Sequence, residues 1–284
     1  MLGIHKYESI NPGNSVLIFG SIHGNEPCGP IAIQKYMEDL DSGKKELLKG
    51  SATFVPVANP RAHEKNLRQT EANLNRIFRK HRNPATYEAK LANQLTDLFD
   101  GTHAFVDLHS FSTPGKPFVM LDFKNTPPGN HKLIKILGPK NLVSGWPEMF
   151  AASGKSNDYD TTRYASERGI FNAIIECGYH SDPKAAGVAY KAIDNTLKYF
   201  GLITGRVKPA KKFNAIKMTK LFIKESSQDK FVRQFNHLDK VKKGSLIGIR
   251  ASGEEVTAPE IGFILLPKSW SQKGEEWFYF GVGD

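Results

Sequence analysis

The chain lacks most of the features that would assign it to a class at a glance. Only two of its 284 residues are cysteine, Cys28 and Cys177. That is too few for a disulfide framework, so free thiols and a reducing, cytoplasmic setting are expected. No apolar run approaches the ~20 residues of a membrane helix. The first fourteen residues hold no apolar signal core, so a membrane is not expected as a partner. There is no internal repeat, no low-complexity tract, no phosphate-cradling Walker loop and no zinc-knuckle or aromatic RNA-binding run. A net charge of +10 would suit nucleic acid or a small anion. The lysines, however, crowd between Lys208 and Lys243, and without a supporting motif nucleic acid is not expected.

What is present is a core and an alternating pattern. Hydrophobic residues make up 39% of the chain, enough to pack an interior. Apolar runs predict buried strands at 15–20, 52–57, 104–108, 118–121 and 173–175. The rough helical spacing of Ile31, Ile33, Tyr36, Met37 and Leu40 predicts a helix over 30–40, and further helices are expected over 84–100, with Leu91, Leu95, Leu98 and Phe99 facing inward, and over 130–138, 158–168 and 183–200. Gly169 is expected to cap the helix that precedes it. Residues 62–83 read as a long polar loop, and 145–157 as irregular. Strands alternating with helices point to α/β: a mixed, mostly parallel sheet flanked by helices. Beyond residue 205 the texture changes to short apolar alternations at 218–223, 246–249, 261–266 and 277–280, separated by turn signals. The expected organisation is a domain over 1–205 and a small all-β domain over 206–284.

Chemistry collects at the strand ends, where open α/β sheets usually bind ligands. His23 and Glu26 follow the first strand, three residues apart, and Gly24 lets the chain turn between them. His109 stands at the end of the strand 104–108. Two imidazoles and a carboxylate, with a fourth position for water, make a three-ligand zinc set. Glu176 closes a third apolar strand, where a carboxylate can act as general base beside such a metal. Asp107 is expected on the opposite side of its strand from His109, either as an outer partner of the metal site or, preferred here, as a structural carboxylate. Arg61, Asn75 and Arg76 lie after the second strand, and arginine grips carboxylates with two parallel hydrogen bonds. Tyr164, on the helix before Glu176, is a further candidate to reach a substrate.

Taken in order, His23-Gly24-Asn25-Glu26, Asn59-Pro60-Arg61-Ala62, Leu74-Asn75-Arg76, Asp107-Leu108-His109 and Glu176 resemble the succinylglutamate desuccinylase/aspartoacylase family of the zinc carboxypeptidase superfamily. The resemblance covers residues ~15 to 200, and the C-terminal β region also looks like that family's. It implies one zinc ion on His23, Glu26 and His109, with Glu176 as base and proton shuttle. It implies Arg61 polarising the scissile carbonyl, and Asn75 and Arg76 holding the substrate carboxylate. The implied reaction is hydrolysis of the amide of a small anionic N-acyl amino acid. A metallocarboxypeptidase acting on peptides is the alternative enzyme, and a binding protein that has lost catalysis the non-enzymatic one. The sequence departs from the family at Asn73, where an acidic residue is common, and at Ser110-Phe111-Ser112-Thr113. These departures leave the acyl group and the amino acid open, as the sequence leaves open a homo-oligomer. Residues 242–248 and 257–263 resemble half-motifs of lipoyl- or biotinyl-type folds, but no lysine sits at a hairpin tip, so this region reads as a lid or wall over the active site.

Overall fold

The computed structural model describes residues 2–121, 126–152 and 159–283. In chain order its elements are β1 (His5–Glu8), β2 (Ser15–Gly20), α1 (Cys28–Asp41), β3 (Ser51–Val55), α2 (Pro60–Glu64), a 3-10 turn (Leu74–Arg76), α3 (Tyr87–Thr96), a second 3-10 turn (Asp97–Phe99), β4 (Ala104–Phe111), β5 (Phe118–Leu121), α4 (Asn130–Ile134), β6 (Asn141–Ser144), α5 (Trp146–Ala152), α6 (Thr161–Ser166), β7 (Phe171–Tyr179), α7 (Lys184–Tyr199), β8 (Asn214–Ile223), β9 (Lys230–Phe231), β10 (Asp239–Val241), β11 (Leu246–Ile249), β12 (Glu255–Thr257), β13 (Gly262–Leu265) and β14 (Glu276–Gly283).

Eleven strands, among the described residues, form one mixed sheet in the order β1-β3-β2-β4-β7-β5-β6-β8-β14-β13-β10. Its centre, β3-β2-β4-β7, is parallel. The direction reverses where β5 meets β7. The C-terminal strands are stitched to the main sheet by the parallel pairing of β6 with β8. They keep a core of their own around Trp277, Phe278, Phe280 and Ile264, and β12-β11-β9 make a small separate sheet.

Side chains alternate across a strand, and that alternation divides the main core. Val16 and Ile18 of β2 face α1 and α7, where Ile33, Tyr36, Ala192 and Ile193 pack. Leu17 and Phe19 face α3 and α6, with Leu91, Leu95 and Ala165. Neither layer alone could bury the apolar runs, so the helices on both faces are what permit a parallel centre.

Two expectations are corrected. Residues 146–152 form a helix rather than an irregular stretch, while 153–157 of that stretch and Asp158 lie outside the described residues. The polar segment 62–83 contains a 3-10 turn (Leu74–Arg76) whose N-cap Asn73 accepts the Asn75 N–H. Gly169 has the left-handed backbone its cap position needs, at φ 70°. Among the described residues no helix is long and apolar enough to cross a membrane.

Candidate metal centre

The site lies at the C-terminal edge of β2, β4 and β7, on the α3/α6 face. β2 stops at Gly20, and the next residue, Ser21, is held at φ 52°, a conformation costly for a side chain other than glycine. Its hydroxyl donates to the carbonyl of His23 at 3.2 Å, which locks the turn. A Cβ on Gly24 would lie 2.2 Å from the Ala62 carbonyl carbon and 2.3 Å from the His63 nitrogen. Glycine is therefore required because the turn rests directly on the backbone of α2. The Gly24 N–H in turn donates to the carbonyl of Arg68 at 3.2 Å, fixing the polar loop against the same turn.

Three sequence-distant side chains converge there. His23 Nδ1 lies 2.8 Å from Glu26 Oε1, and His109 Nδ1 lies 2.9 Å from Glu26 Oε2. The three residues offer ligand atoms all within 4.8 Å of one another, and all three are buried. His23 Nε2 is hydrogen-bonded to Asn73 Oδ1 at 3.1 Å, whereas His109 Nε2 lies 3.1 Å from Asp107 Oδ2 without hydrogen-bond alignment. Asn73 Oδ1 already accepts the Asn75 N–H at 3.0 Å, so this atom is an acceptor and His23 Nε2 must carry the proton. That tautomer turns the Nδ1 lone pair towards Glu26. Metal-bound histidines use this arrangement, with the second ring nitrogen donating outward to fix the ring.

Burial, then the nearby Arg68, lowers His23 to about 3, so it is neutral at pH 7. Burial opposes ionisation of Glu26, but His109 above all outweighs it and holds the carboxyl well below its usual range. Burial likewise opposes charge on His109, and Asp107 and Glu26 overcome it, raising its pKa well above the ordinary value. A lone pair on His23 Nδ1 facing an ionised carboxylate at 2.8 Å is repulsive unless positive charge lies between them. The donor set, two nitrogens and a carboxylate oxygen, fits zinc.

Glu176 is paired in register with His109 across β4 and β7, which brings it beside the cluster. Its Oε2 is buried with no hydrogen-bond partner among the described residues. Burial and the negative Glu26 raise its pKa to about 8. Asn75 accepts the Thr161 N–H on its Oδ1 at 3.1 Å and, with Arg76, lines a cavity of about 530 Å³ that opens from the cluster.

Three candidates stand elsewhere than expected. Arg61 does not line this cavity. Its guanidinium stacks on the Tyr87 ring at 4.2 Å and its side chain is 60% exposed, because α2 turns it to the outside while Ala62 faces in. Tyr164 is core: it packs edge-on against Phe78 and Phe99, with Arg168 stacked at 3.4 Å. Asp107 is on the same side of β4 as His109, since residues two apart share a face, with its Oδ2 3.1 Å from His109 Nε2. It is anchored by the Thr161 hydroxyl at 2.7 Å.

Two side chains do what the sequence did not disclose. Arg68 enters the cavity and sets Nη1 3.3 Å from Glu26 Oε1. Nothing in the periodicity of the loop marked it, and only the backbone contact with Gly24 places it. Asn73, noted as a departure, proves to be the partner of His23; an Asn two residues before Asn75 is a local turn signal that could have pointed to it. The far wall of the cavity comes from Tyr279 of β14 and from Leu266, Lys268 and Trp270 in the connection between β13 and β14.

Residues 12–126 match the family model described as "Succinylglutamate desuccinylase/Aspartoacylase catalytic domain". Over 129 residues the chain is 30% identical to an aspartoacylase of Xenopus tropicalis, a match covering 41% of this chain and 40% of that relative. The matched part thus spans well under half of the curated relative's length. The fold is similar to that of a succinylglutamate desuccinylase/aspartoacylase from Rhodobacter sphaeroides, with a TM-score of 0.81 at 18% identity, covering 100% of this chain and 89% of the other. It is also similar to the product-bound ectoine utilization protein EutE of Ruegeria pomeroyi, with a TM-score of 0.79 at 21% identity, covering 98% and 88%. Over residues 12–126 the chain is thus similar to the catalytic domain of the succinylglutamate desuccinylase/aspartoacylase family.

Proposed function

We propose that the protein is a zinc-dependent deacylase that hydrolyses the amide bond of a small N-acyl amino acid, giving a carboxylic acid and a free amino acid. The observation that carries this reading is the convergence of the His23 and His109 Nδ1 atoms on the Glu26 carboxylate with Glu176 alongside. His23, Glu26 and His109 would hold one zinc ion per chain. When bound, zinc supplies Lewis acidity that acidifies water and a positive charge that favours ionised Glu176.

The remaining chemistry belongs to the chain. Glu176 takes a proton from the attacking water and passes it to the departing nitrogen. Arg68, already aimed at the cluster, stabilises the negative charge that develops on the carbonyl oxygen; it takes the role that the sequence suggested for Arg61. Asn75 and Arg76 bind the substrate carboxylate. Asn73 and Asp107 hold the two histidine rings in register. Residues 206–284 act as a wall that limits the substrate's size, and a cavity of about 530 Å³ suits a small ligand better than the peptide a metallocarboxypeptidase would admit.

The test is Glu176→Gln, assayed on a panel of N-acetyl, N-succinyl and N-formyl amino acids with dipeptides as controls. The variant is expected to retain zinc and lose at least about 10²-fold in kcat. Near-normal turnover would remove Glu176 as the base, and cleavage of dipeptides in preference to acyl amino acids would favour the peptidase.

A further inference from the structure

Past His109 and Glu176, the two strands that carry them stay together and bring another histidine to the cavity. His109 pairs with Glu176 and Phe111 with Tyr179, so β7 runs one residue longer than β4 over the same span. A bulge of this kind beside a site re-aims the chain that follows it. The next residue, His180, donates its backbone N–H to the Phe111 carbonyl at 2.8 Å and lines the cavity together with Ser110. Their side chains meet, with Ser110 Oγ 2.8 Å from His180 Nδ1.

Burial decides which ring nitrogen carries the proton. Ser110 is 2% exposed, and among the described residues His180 Nδ1 is the only acceptor its hydroxyl reaches. A hydroxyl buried without an acceptor is costly, so Ser110 donates, Nδ1 accepts, and the neutral ring holds its proton on Nε2. Burial above all lowers the pKa of His180, against the pull of Glu26 and with Arg68 adding to the effect, which keeps the ring neutral at pH 7. Nε2 has no hydrogen-bond partner among the described residues and is not sealed off, so it is a donor left open in the cavity. Ser110 is itself held, because its backbone N–H donates to Glu26 Oε2 at 3.0 Å. The open donor is therefore tied, through Ser110, to the carboxylate at the centre of the metal cluster.

We propose that His180 is a substrate-binding residue whose Nε2–H donates to an oxygen of the bound acyl amino acid, and that Ser110 is the positioning residue that fixes its tautomer. This rests on the deacylase reading above for the identity of the ligand. A neutral N–H donates to a carbonyl, hydroxyl or carboxylate oxygen and offers nothing to an ammonium or a bare hydrocarbon, so the contact selects ligands with an oxygen at this place. Arg68 meets the charge that develops during the reaction. His180 is neutral and binds ground state and transition state about equally, an effect read in KM rather than in kcat.

The experiment measures kcat and KM of the zinc-loaded protein, on the N-acyl amino acid it cleaves best, for the wild type, His180→Phe, His180→Gln and Ser110→Ala at matched zinc content. His180→Phe keeps a ring and removes the donor; KM is expected to rise about 3–10-fold with kcat within about twofold. His180→Gln restores an N–H donor and is expected to recover part of that loss. Ser110→Ala keeps the backbone bond to Glu26 and is expected to raise KM, with no further rise when it is combined with His180→Phe. Imidazole nitrogen NMR reads the tautomer directly, expected as Nε2–H in the wild type and as a mixture in Ser110→Ala. An unchanged KM in His180→Phe, a fall in kcat at unchanged KM, or an Nδ1–H tautomer in the wild type would each overturn the proposal. If the wild type cleaves no acyl amino acid, the deacylase reading fails, and the tautomer measurement by itself decides whether His180 is the donor.

Discussion

Two arginines seven positions apart give the sharpest test of how the site is built. Arg68 sets Nη1 3.3 Å from Glu26 Oε1 inside the cavity. Arg61 stacks outside it on Tyr87, and its nearest carboxylate, Glu71, is 4.0 Å away and itself 48% exposed. Removing one donor aimed at a developing oxyanion costs about 10²–10³ in kcat, or ~2.7–4 kcal/mol. Arg68→Ala should therefore lose turnover by about that factor. Removing an exposed, weakly paired arginine changes stability by about 0.5 kcal/mol or less, and Arg61→Ala should retain kcat/KM within about twofold. Zinc content is measured on each variant, since Arg68 also contributes to keeping His23 neutral and a loss of metal would mimic a loss of catalysis. An Arg61→Ala variant as impaired as Arg68→Ala, with zinc intact in both, would refute the placement of the oxyanion donor.

Two further perturbations probe separate parts of the argument. Asn73→Ala removes the acceptor that fixes the His23 tautomer and should weaken zinc binding by about 10–100-fold, read by competition with a chelator; unchanged affinity would mean the ring orients itself. His237 lies between the Phe111 and Phe118 rings and accepts the Leu266 N–H on Nδ1, and burial lowers its pKa to about 3. Its folded pKa is below the unfolded value of about 6.5, so its neutral form carries no penalty above pH 6.5. As pH falls towards 3 the unfolded chain takes up a proton that the folded chain refuses, and stability falls by about 1.4 kcal/mol per pH unit. His237→Gln should be less stable at neutral pH yet show a shallower loss between pH 6 and 4 in chemical denaturation. An identical slope would show that His237 is protonated in the fold.

The layered architecture was legible because burial on both sides of a parallel strand writes continuous apolar runs, such as Val16 to Phe19, that no solvent-exposed element would carry. The convergence of His23, Glu26 and His109, with Glu176 alongside, was legible for a related reason: each stands at the end of such a run, and strand ends in this kind of sheet share one edge. Local spacing did not convey direction. Arg61 follows a strand as His109 does, yet α2 begins at Pro60 and rotates it outward. Tyr164 carries a helix periodicity that could not say whether its inner face meets a ligand or a core of phenylalanines. Arg68 and Asn73 lie in a segment without periodicity, and their positions are set by hydrogen bonds to Gly24 and His23 that exist only in three dimensions. The elements β6 and α5 were missed because short buried pieces lack the length over which a period declares itself. The joining of the C-terminal strands to the main sheet, through β6 and β8, is a long-range pairing of the kind that sequence patterns do not encode.

The most direct measurement is metal analysis of the purified protein with X-ray absorption at the zinc edge, repeated on His109→Ala. The account predicts about one zinc per chain, in a shell of two imidazole nitrogens and light oxygen donors, and a large loss of zinc in the variant. Protein that neither retains zinc through gentle purification nor takes it up when it is added, or a His109→Ala variant that binds it as tightly as before, would contradict it.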